Sequence, residues 1–243
     1  MEIVLTIAGS DSSAGAGIQQ DLKTITALGC YGATAITAIT SQNTLGVQHV
    51  MPLPPDVVRS QITSVMSDLN VSAVKIGMIP NREVAGAIVA SLRQYPVRHI
   101  VYDPVMISTS GTHLMSPDCL DYVQQELFPV CTLITPNIPE AEALFPSKDY
   151  PFAVLVKGGH AEGDEMTDTL FLPDGTSYAF SAKRVPSTNL HGTGCTLSSA
   201  IATFLAQGYT LVESVSKGKK VINRGIAGGR SLHIGNGNGP LWL

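Results

Sequence analysis

The chain has 243 residues, of which 44% are hydrophobic and only 14% are charged, and its formal net charge is −4. This composition excludes a disordered chain and supplies enough apolar side chains to cover both faces of a buried sheet within one domain, residues 1–243. No basic block is present that could neutralise a nucleic-acid backbone, so a nucleic-acid partner is not expected.

Apolar runs typical of buried strands alternate with segments of helical spacing. In chain order, strands are predicted at Glu2–Ala8, Ala33–Ile39, Val47–Met51, Ala73–Ile76, His99–Tyr102, Thr132–Ile134 and Ala153–Val156, then a hairpin of Asp168–Leu172 and Thr176–Phe180. Helices are predicted at Ile18–Leu28, Pro55–Leu69, Arg82–Leu92, Pro117–Leu127, Glu140–Leu144, Gly194–Ala206 and Leu211–Ala227. The Gly/Asn-rich tail Gly228–Pro240 is expected to be loosely ordered. The alternation predicts an α/β fold with a mostly parallel sheet and helices on both faces.

The N-terminal apolar run is too short for a signal peptide, and no apolar run reaches membrane-spanning length. We therefore predict a cytoplasmic protein without membrane contact. The cysteines are scattered without a Cys-x-x-Cys pair, so reduced thiols are expected.

Polar or glycine-rich residues directly follow five of the predicted strands. These segments are Gly9-Ser10-Asp11, Gly77-Met78, Asp103-Pro104, Thr135-Pro136-Asn137 and Lys157-Gly158-Gly159. Because parallel strands bring their carboxyl ends to one edge of the sheet, the five segments predict one composite ligand site.

The segment His191-Gly192-Thr193-Gly194-Cys195-Thr196 opens a predicted helix. Its glycines leave backbone N–H groups unobstructed at a helix N-terminus, which favours an anion such as a phosphoryl group in transit. Cys195 lies in the first turn, where its pKa is expected to fall, and it could accept the proton of an attacking hydroxyl. A tight loop with a buried structural cysteine is the alternative.

A small-residue loop, Gly9–Gly17, connects the first strand to the first helix. It lacks the GK[ST] ending of a phosphate-binding loop and the third glycine of a dinucleotide fingerprint, so it is expected to enclose a small polar substrate. Close packing of the loop on the sheet is the alternative. Gln42 suits a hydrogen-bonding wall for a heterocycle, and Met78 offers a soft apolar cover for a flat ring.

Asp103 and Glu140 fall at the same predicted sheet edge. Two carboxylates there could hold Mg²⁺ through waters, although Glu140 could instead complement a helix dipole. Lys157 ends an apolar strand, where its cation could pair with phosphate oxygens or simply be solvated.

Together these motifs resemble the hydroxymethylpyrimidine/phosphomethylpyrimidine kinases of the ribokinase-like superfamily. The resemblance extends over nearly the whole chain, in order. It rests on Leu5–Gln19, Asp21–Thr24, Gln42–Thr44, Lys75–Met78, Asp103–Met106, Ser110-Gly111, Thr135–Glu142, Val156–His160 and His191–Ser198.

This resemblance implies a three-layer ribokinase-like fold, commonly dimeric. It also implies transfer of phosphate from ATP, with Mg²⁺, to 4-amino-5-hydroxymethyl-2-methylpyrimidine, and in many members to its monophosphate, in thiamine biosynthesis. The implied pyrimidine pocket is lined by Gly9, Ala16, Asp21, Gln42, Met78 and Val105. On the phosphate side, the resemblance implies Mg²⁺ at Asp103 and Glu140, and nucleotide contacts at Asn137, Lys157 and Lys219. It further implies an anion hole at Gly192, Thr193 and Gly194, with Cys195 in place of the aspartate base of the wider superfamily.

The chain departs from the family pattern between Glu142 and Lys157, where the family usually has an additional helix. The short interval is expected to affect ATP affinity or the outer wall of the ATP pocket. Two alternatives stay open: a pyridoxal kinase, whose relatives share the glycine-bounded helix start, and a catalytically weakened pyrimidine-binding protein. Gln42-Asn43-Thr44 and Lys157–His160 favour the pyrimidine kinase over the first. Retention of the residues proposed for catalysis disfavours the second.

Overall fold

The computed structural model describes residues 1–106, 114–147, 149–158 and 165–243. Nine strands lie in these ranges: β1 Ile3–Asp11, β2 Tyr31–Asn43, β3 Gly46–Pro52, β4 Ala73–Ile76, β5 His99–Tyr102, β6 Leu133–Ile134, β7 Val154–Val156, β8 Glu165–Phe171 and β9 Ser177–Lys183. The α-helices of the same ranges are α1 Gly17–Ala27, α2 Pro55–Met66, α3 Arg82–Gln94, α4 Pro117–Tyr122, α5 Ile138–Leu144, α6 Thr193–Ala206 and α7 Leu211–Gly229.

The strands form one sheet in the order β3-β2-β1-β4-β5-β6-β7-β8-β9. The six central strands, β2 to β7 in this spatial order, run parallel, while β3 pairs antiparallel at one end and β8 and β9 at the other. A mostly parallel sheet was predicted and is confirmed. Its parallel strands end at one edge, which is where the polar segments of the sequence meet.

Two apolar cores cover the two faces of the sheet. Leu5 and Ile7 point into the core that contains α2 and α3, whereas Val4, which precedes Leu5, points into the core that contains α6 and α7. The same alternation separates Val101 from its neighbours in β5. Side chains of a strand alternate between faces, so a continuous apolar run requires helices on both sides. The three-layer α/β fold is therefore confirmed.

The helix predicted at Pro117–Leu127 is not one α-helix. It is α-helical only to Tyr122, continues as a π-helical turn over Val123–Leu127, and ends in a 3-10 turn over Phe128–Val130. Pro129 has no backbone N–H to donate to the carbonyl four residues earlier, so regular α-helical bonding cannot continue there.

The short interval between α5 and β7 is filled by aromatic side chains. Phe145 stacks on Phe128 with ring centroids 5.8 Å apart and contacts Tyr150 edge-on at 5.2 Å. Tyr150 in turn stacks on Phe171 of β8 at 4.6 Å. This aromatic cluster covers the sheet face beside β7 without an additional helix.

The tail predicted to be loosely ordered is instead held by hydrogen bonds. Within Gly228–Pro240, Leu232 N–H donates to the Gly229 carbonyl at 3.0 Å, Asn238 N–H donates to the Thr44 carbonyl at 2.9 Å, and the Gly239 carbonyl accepts from His191 N–H at 3.1 Å. The expectation was wrong because composition alone does not show where backbone N–H groups find partners. Among the described helices, none combines the length and the apolar character needed to cross a membrane.

Candidate active site

A cavity of about 490 Å³ lies beyond the carboxyl ends of the parallel strands. Residues at or just after the carboxyl ends of β1, β2, β4, β5, β6 and β7 line it, together with the start of α6 and one face of α7. Most predicted site residues meet here. The lining includes Gly9, Ala16, Gln42, Met78, Asp103, Val105, Asn137, Glu140, Lys157, Gly192, Thr193, Gly194, Cys195 and Lys219. The motif residues Ser110, Gly111, Gly159 and His160 lie outside the described residues.

Asp21 is the predicted pocket residue that does not reach the cavity. Its carboxylate is fully buried and accepts hydrogen bonds from Thr6 Oγ1 at 2.6 Å and Ser199 Oγ at 2.7 Å. Lys75 Nζ donates to both of its oxygens, at 2.9 and 2.8 Å. The prediction that Asp21 lines the pocket is thus wrong, because its carboxylate bonds buried side chains and does not reach the cavity. Lys75, which sequence reasoning did not single out, lines the cavity in its place.

The start of α6 forms a backbone cradle. Gly192 precedes the helix with φ of +84°, in the left-handed region that favours glycine, and no side chain caps the helix. A Cβ at Gly192 would lie 1.9 Å from the carbonyl oxygen of Gly15, so loop 9–17 packs directly against the residue that precedes α6. Thr193 N–H donates to the Leu190 carbonyl at 3.3 Å, so an anion, as predicted from the sequence, would be bound by the backbone N–H groups of the next residues, Gly194 and Cys195.

Asp103 and Lys157 form an ion pair beside this cradle. Lys157 Nζ donates to Asp103 Oδ1 at 2.7 Å, and the Cβ position of Gly194 is 3.2 Å from Asp103 Oδ2. Burial alone would raise the pKa of Asp103, but the cations of Lys157 and Lys75 outweigh it and hold that pKa below its ordinary value. Burial would lower the pKa of Lys157, but Asp103 and Glu140 raise it above its ordinary value. Both groups are therefore charged at neutral pH.

Glu140 is held in a capping box at the start of α5. Its Oε2 accepts from Asn137 N–H at 2.7 Å, and Asn137 Oδ1 accepts from Glu140 N–H at 2.9 Å. Burial raises the pKa of Glu140, Lys157 partly lowers it and Asp103 raises it further. The helix-cap alternative is thus present in the structure, and a further hydrogen bond from the Met106 backbone also acts to lower the pKa of this carboxylate.

The donor set of Asp103 and Glu140 fits Mg²⁺. Lys157 and Thr135 both donate to Asp103 Oδ1, whereas Ser198 approaches Oδ2 only at 3.5 Å, so Oδ2 retains lone pairs. The described residues contain no group of three or more His, Cys, Asp or Glu suited to enclose a metal ion. Mg²⁺ commonly takes one or two carboxylates and completes its shell with waters and substrate phosphates, which matches this arrangement.

Cys195 lies where it was predicted, but its acidity differs from the prediction. Burial raises the pKa of its thiol to about 11, while Lys75 partly lowers it and Asp21 and Asp103 raise it. The expected fall in pKa is corrected: the helix N-terminus does not compensate for removal of the thiolate from water. The resting thiol is therefore protonated at neutral pH.

Two contacts of the site were missed by sequence reasoning. His191 Nε2 lies 2.8 Å from Asp11 Oδ2 and 3.2 Å from Gln42 Nε2, so one imidazole connects the end of β1, the end of β2 and the loop before α6. Asp11 also accepts from the backbone N–H groups of loop 9–17, at residues 13, 15 and 16. An Asp followed by Ser-Ser was a sequence signal for such a turn.

Lys219, for which the family resemblance implies a nucleotide contact, is paired with Asp168. Lys219 Nζ donates to Asp168 Oδ2 at 2.6 Å, and Gly158 N–H donates to Asp168 Oδ1 at 2.9 Å. Asp168 lies in the predicted hairpin and was not recognised as part of the site. The pair fixes the end of β7 against α7, with Lys219 lining the cavity.

The chain is similar in sequence and in fold to known kinases. The family described as phosphomethylpyrimidine kinase matches residues 11–149 and 147–242. A hydroxymethylpyrimidine/phosphomethylpyrimidine kinase of Rhizobium meliloti is 46% identical over 258 aligned positions, covering 98% of this chain and 96% of that protein. The solved phosphomethylpyrimidine kinase of Clostridium difficile 630 has a TM-score of 0.79 at 41% identity, covering 92% of this chain and 98% of that one. A pyridoxal kinase from Staphylococcus aureus in complex with AMP-PCP and pyridoxal has a TM-score of 0.88 at 30% identity, covering 99% and 93%.

The matches also locate the departure noted in the sequence. The two matched segments meet at residues 147–149, inside the interval filled by the aromatic cluster. The alignment of 258 positions exceeds the 243 residues of this chain, so that relative contains residues without a counterpart here. The agreement otherwise covers almost the full length. The chain belongs to the phosphomethylpyrimidine kinase family.

Proposed function

We propose that this chain, as one domain of residues 1–243, uses ATP and Mg²⁺ to phosphorylate 4-amino-5-hydroxymethyl-2-methylpyrimidine and then its monophosphate. One observation carries the proposal. A single cavity joins an amide and thioether wall, Gln42 and Met78, to the uncapped start of α6 and to the Asp103–Lys157 ion pair. Such a cavity can hold a flat polar ring at one end and phosphates at the other.

The pyrimidine end contains one amide side chain. Gln42 Oε1 lies 3.1 Å from Thr40 Oγ1, and Gln42 Nε2 lies 3.2 Å from His191 Nε2. These contacts hold the amide at the cavity wall, where it suits recognition of the edge of an aminopyrimidine. Met78 lies against Gly9, with its Sδ 3.0 Å from the Cβ position of that glycine, and gives the pocket a polarizable surface for the ring.

At the phosphate end, positively charged and N–H groups lie where negative charge builds up during phosphoryl transfer. The substrate oxygen forms a bond to the γ-phosphorus while the bond from that phosphorus to the bridging oxygen breaks, and ADP leaves. Backbone N–H groups at the start of α6 and the Lys157 cation stabilise the negative charge of the transferring group. Mg²⁺, held by Asp103 and Glu140 largely through waters, would neutralise charge on the ATP phosphates when bound.

Cys195 is proposed as the acceptor of the substrate hydroxyl proton. Only the thiolate can accept a proton, and burial raises the pKa of this thiol to about 11. The Lys75 cation is the main charge that favours the thiolate. The basicity of Cys195 therefore depends on the buried ion pair of Lys75 and Asp21. This gives the mechanism a specific pH dependence.

A pyridoxal kinase is the second candidate, favoured by the close structural match to the Staphylococcus aureus enzyme. Sequence identity is higher to the named pyrimidine kinases, at 46% and 41% against 30%. A binding protein without catalysis is disfavoured because Lys157, Asp103 and the cradle of α6 converge within one site.

The test is an ADP-release assay that offers hydroxymethylpyrimidine, its monophosphate and pyridoxal separately. We expect ADP release with both pyrimidines and much less with pyridoxal; equal or greater use of pyridoxal would refute the assignment. Cys195→Ala is expected to abolish most turnover and to leave pyrimidine binding, measured by calorimetry, nearly unchanged. Cys131→Ala, which removes a half-buried thiol remote from the cavity lining, is the matched control and should keep wild-type turnover.

We also expect the protein to act as a homodimer in the cytoplasm, as is common in the family. Light scattering coupled to gel filtration measures the first directly, and a monomer at assay concentration would contradict it.

A further inference from the structure

Residues 235–240, named here the C-terminal strap, lie between two parts of the pyrimidine end of the cavity. On one side is the turn that joins β2 to β3. Gly237 N–H donates to Thr44 Oγ1 at 3.2 Å, and Asn238 N–H donates to the Thr44 carbonyl at 2.9 Å. Thr44 follows Gln42 by two residues, so the strap is bonded to the segment that carries the proposed pyrimidine-binding amide.

On its other side the strap is bonded to the loop before α6. Leu190 N–H donates to Asn238 Oδ1 at 3.0 Å, and His191 N–H donates to the Gly239 carbonyl at 3.1 Å. His191 and Pro240 also form an isolated parallel bridge. One side chain, Asn238, therefore fixes the backbone next to the imidazole that contacts Asp11.

The alternation of glycine and asparagine in the strap matches these close approaches. A Cβ at Gly235 would lie 2.2 Å from Thr44 Oγ1, and one at Gly237 would lie 2.1 Å from the Thr44 carbonyl oxygen. A Cβ at Gly239 would lie 2.2 Å from Asn189 Oδ1. A side chain at any of these glycines would collide with Thr44 or Asn189. The glycine-rich composition that predicted a loosely ordered tail therefore allows the strap to pack closely on these two residues.

Asn238 itself lines the cavity, as do Leu190 and His191. We propose that Asn238 is a positioning residue for the pyrimidine end of the site. Its backbone N–H bonds the β2–β3 turn and its side chain bonds the loop before α6, so it fixes the positions of Gln42 and His191 relative to each other. This inference rests on the proposed function for its substrate. Among the described residues, the hydrogen bonds of the strap go to residues 44, 190 and 191, whereas Lys219 is bonded to Asp168, so we expect the effect of Asn238 to fall on the acceptor and not on ATP.

The experiment compares Asn238→Ala with Asn238→Asp and Asn236→Ala. Loss of the hydrogen bond from Leu190 is expected to raise KM for hydroxymethylpyrimidine by roughly three- to tenfold, with KM for ATP and kcat within about twofold of wild type. Asn238→Asp retains an oxygen that accepts from Leu190 N–H and should restore most of the lost affinity for this uncharged substrate. Asn236 is exposed and does not line the cavity, so Asn236→Ala is the matched control and should match wild type.

Hydrogen exchange of the ligand-free protein provides a readout independent of substrate. Asn238→Ala is expected to speed exchange in the peptides that contain residues 42–45 and 189–194, and Asn236→Ala is not. If wild type releases no ADP with any pyrimidine, the proposed function fails, and the exchange result alone decides the positioning role. Unchanged KM for the pyrimidine together with unchanged exchange would overturn the inference, as would equal rises in both KM values with a lowered melting temperature. Should Asn238→Ala fail to fold, Thr44→Val removes a strap contact from the opposite side and carries the same expectations.

Discussion

The buried pair of Asp21 and Lys75 makes a quantitative prediction about stability. Neither side chain is exposed to solvent, and the two Asp21 oxygens are within 2.9 Å of Lys75 Nζ. Asp21→Ala leaves the Lys75 cation in the interior without its partner and removes the acceptor of two buried hydroxyls. Breaking a buried pair from one side costs about 3–5 kcal/mol of unfolding free energy. That loss is a large fraction of the roughly 5–15 kcal/mol that stabilises a typical domain.

Urea unfolding followed by circular dichroism measures this loss. The double variant Asp21→Leu with Lys75→Met removes both charges and is expected to recover most of it, to within about 1–2 kcal/mol of wild type. The exposed pair of Arg93 and Glu126, with an N–O distance of 2.6 Å and side chains 59% and 37% exposed, is the control. Glu126→Ala should cost no more than about 1 kcal/mol, because solvent screens an exposed pair.

An Asp21→Ala variant that retains wild-type stability and instead has a raised KM for the pyrimidine would refute this structural role. That result would return Asp21 to the pocket, where the family resemblance had placed it. A double variant as unstable as the single one would show that the hydroxyls of Thr6 and Ser199, not the stranded cation, dominate the loss.

Three further predictions follow from the same geometry. If the thiolate of Cys195, whose pKa is about 11, is the base, kcat rises with pH because deprotonation creates the active form. Between pH 7.5 and 9.5 the rise is about tenfold per unit, and a flat profile would exclude the thiolate. Gly192→Ala places a Cβ 1.9 Å from the Gly15 carbonyl oxygen. Turnover should fall roughly 10²-fold through loss of the anion cradle, and a fully active variant would contradict that role. Phe145→Ala opens the centre of the aromatic cluster and should cost about 3–5 kcal/mol in urea unfolding. A loss below about 1 kcal/mol would show that the cluster does not replace a helix there.

The fold could be predicted because local patterns determine it. The run Val4-Leu5-Thr6-Ile7 is apolar with alternate residues on opposite faces, which indicates a central strand covered on both sides. The positions of Asp103 and Lys157 in the site followed from their places directly after strands, because parallel strands bring those places together.

Other features depend on contacts between residues far apart in sequence. Whether Asp21 faces a substrate or a lysine is decided by Lys75, which is 54 residues away. The acidity of Cys195 depends on how much solvent the surrounding loops exclude, and the helix start alone does not reveal this. The ordered packing of the tail depends on its contacts with Thr44 and Asn189, which cannot be predicted from its composition.

The contact between Gly15 and Gly192 has a consequence for redesign. The carbonyl of one loop occupies the space where the other would need a side chain, so neither segment has room to adopt a new sequence alone. Grafting a different sequence into loop 9–17 would therefore require replacing the start of α6 with it. In any redesign, the two segments have to be exchanged together.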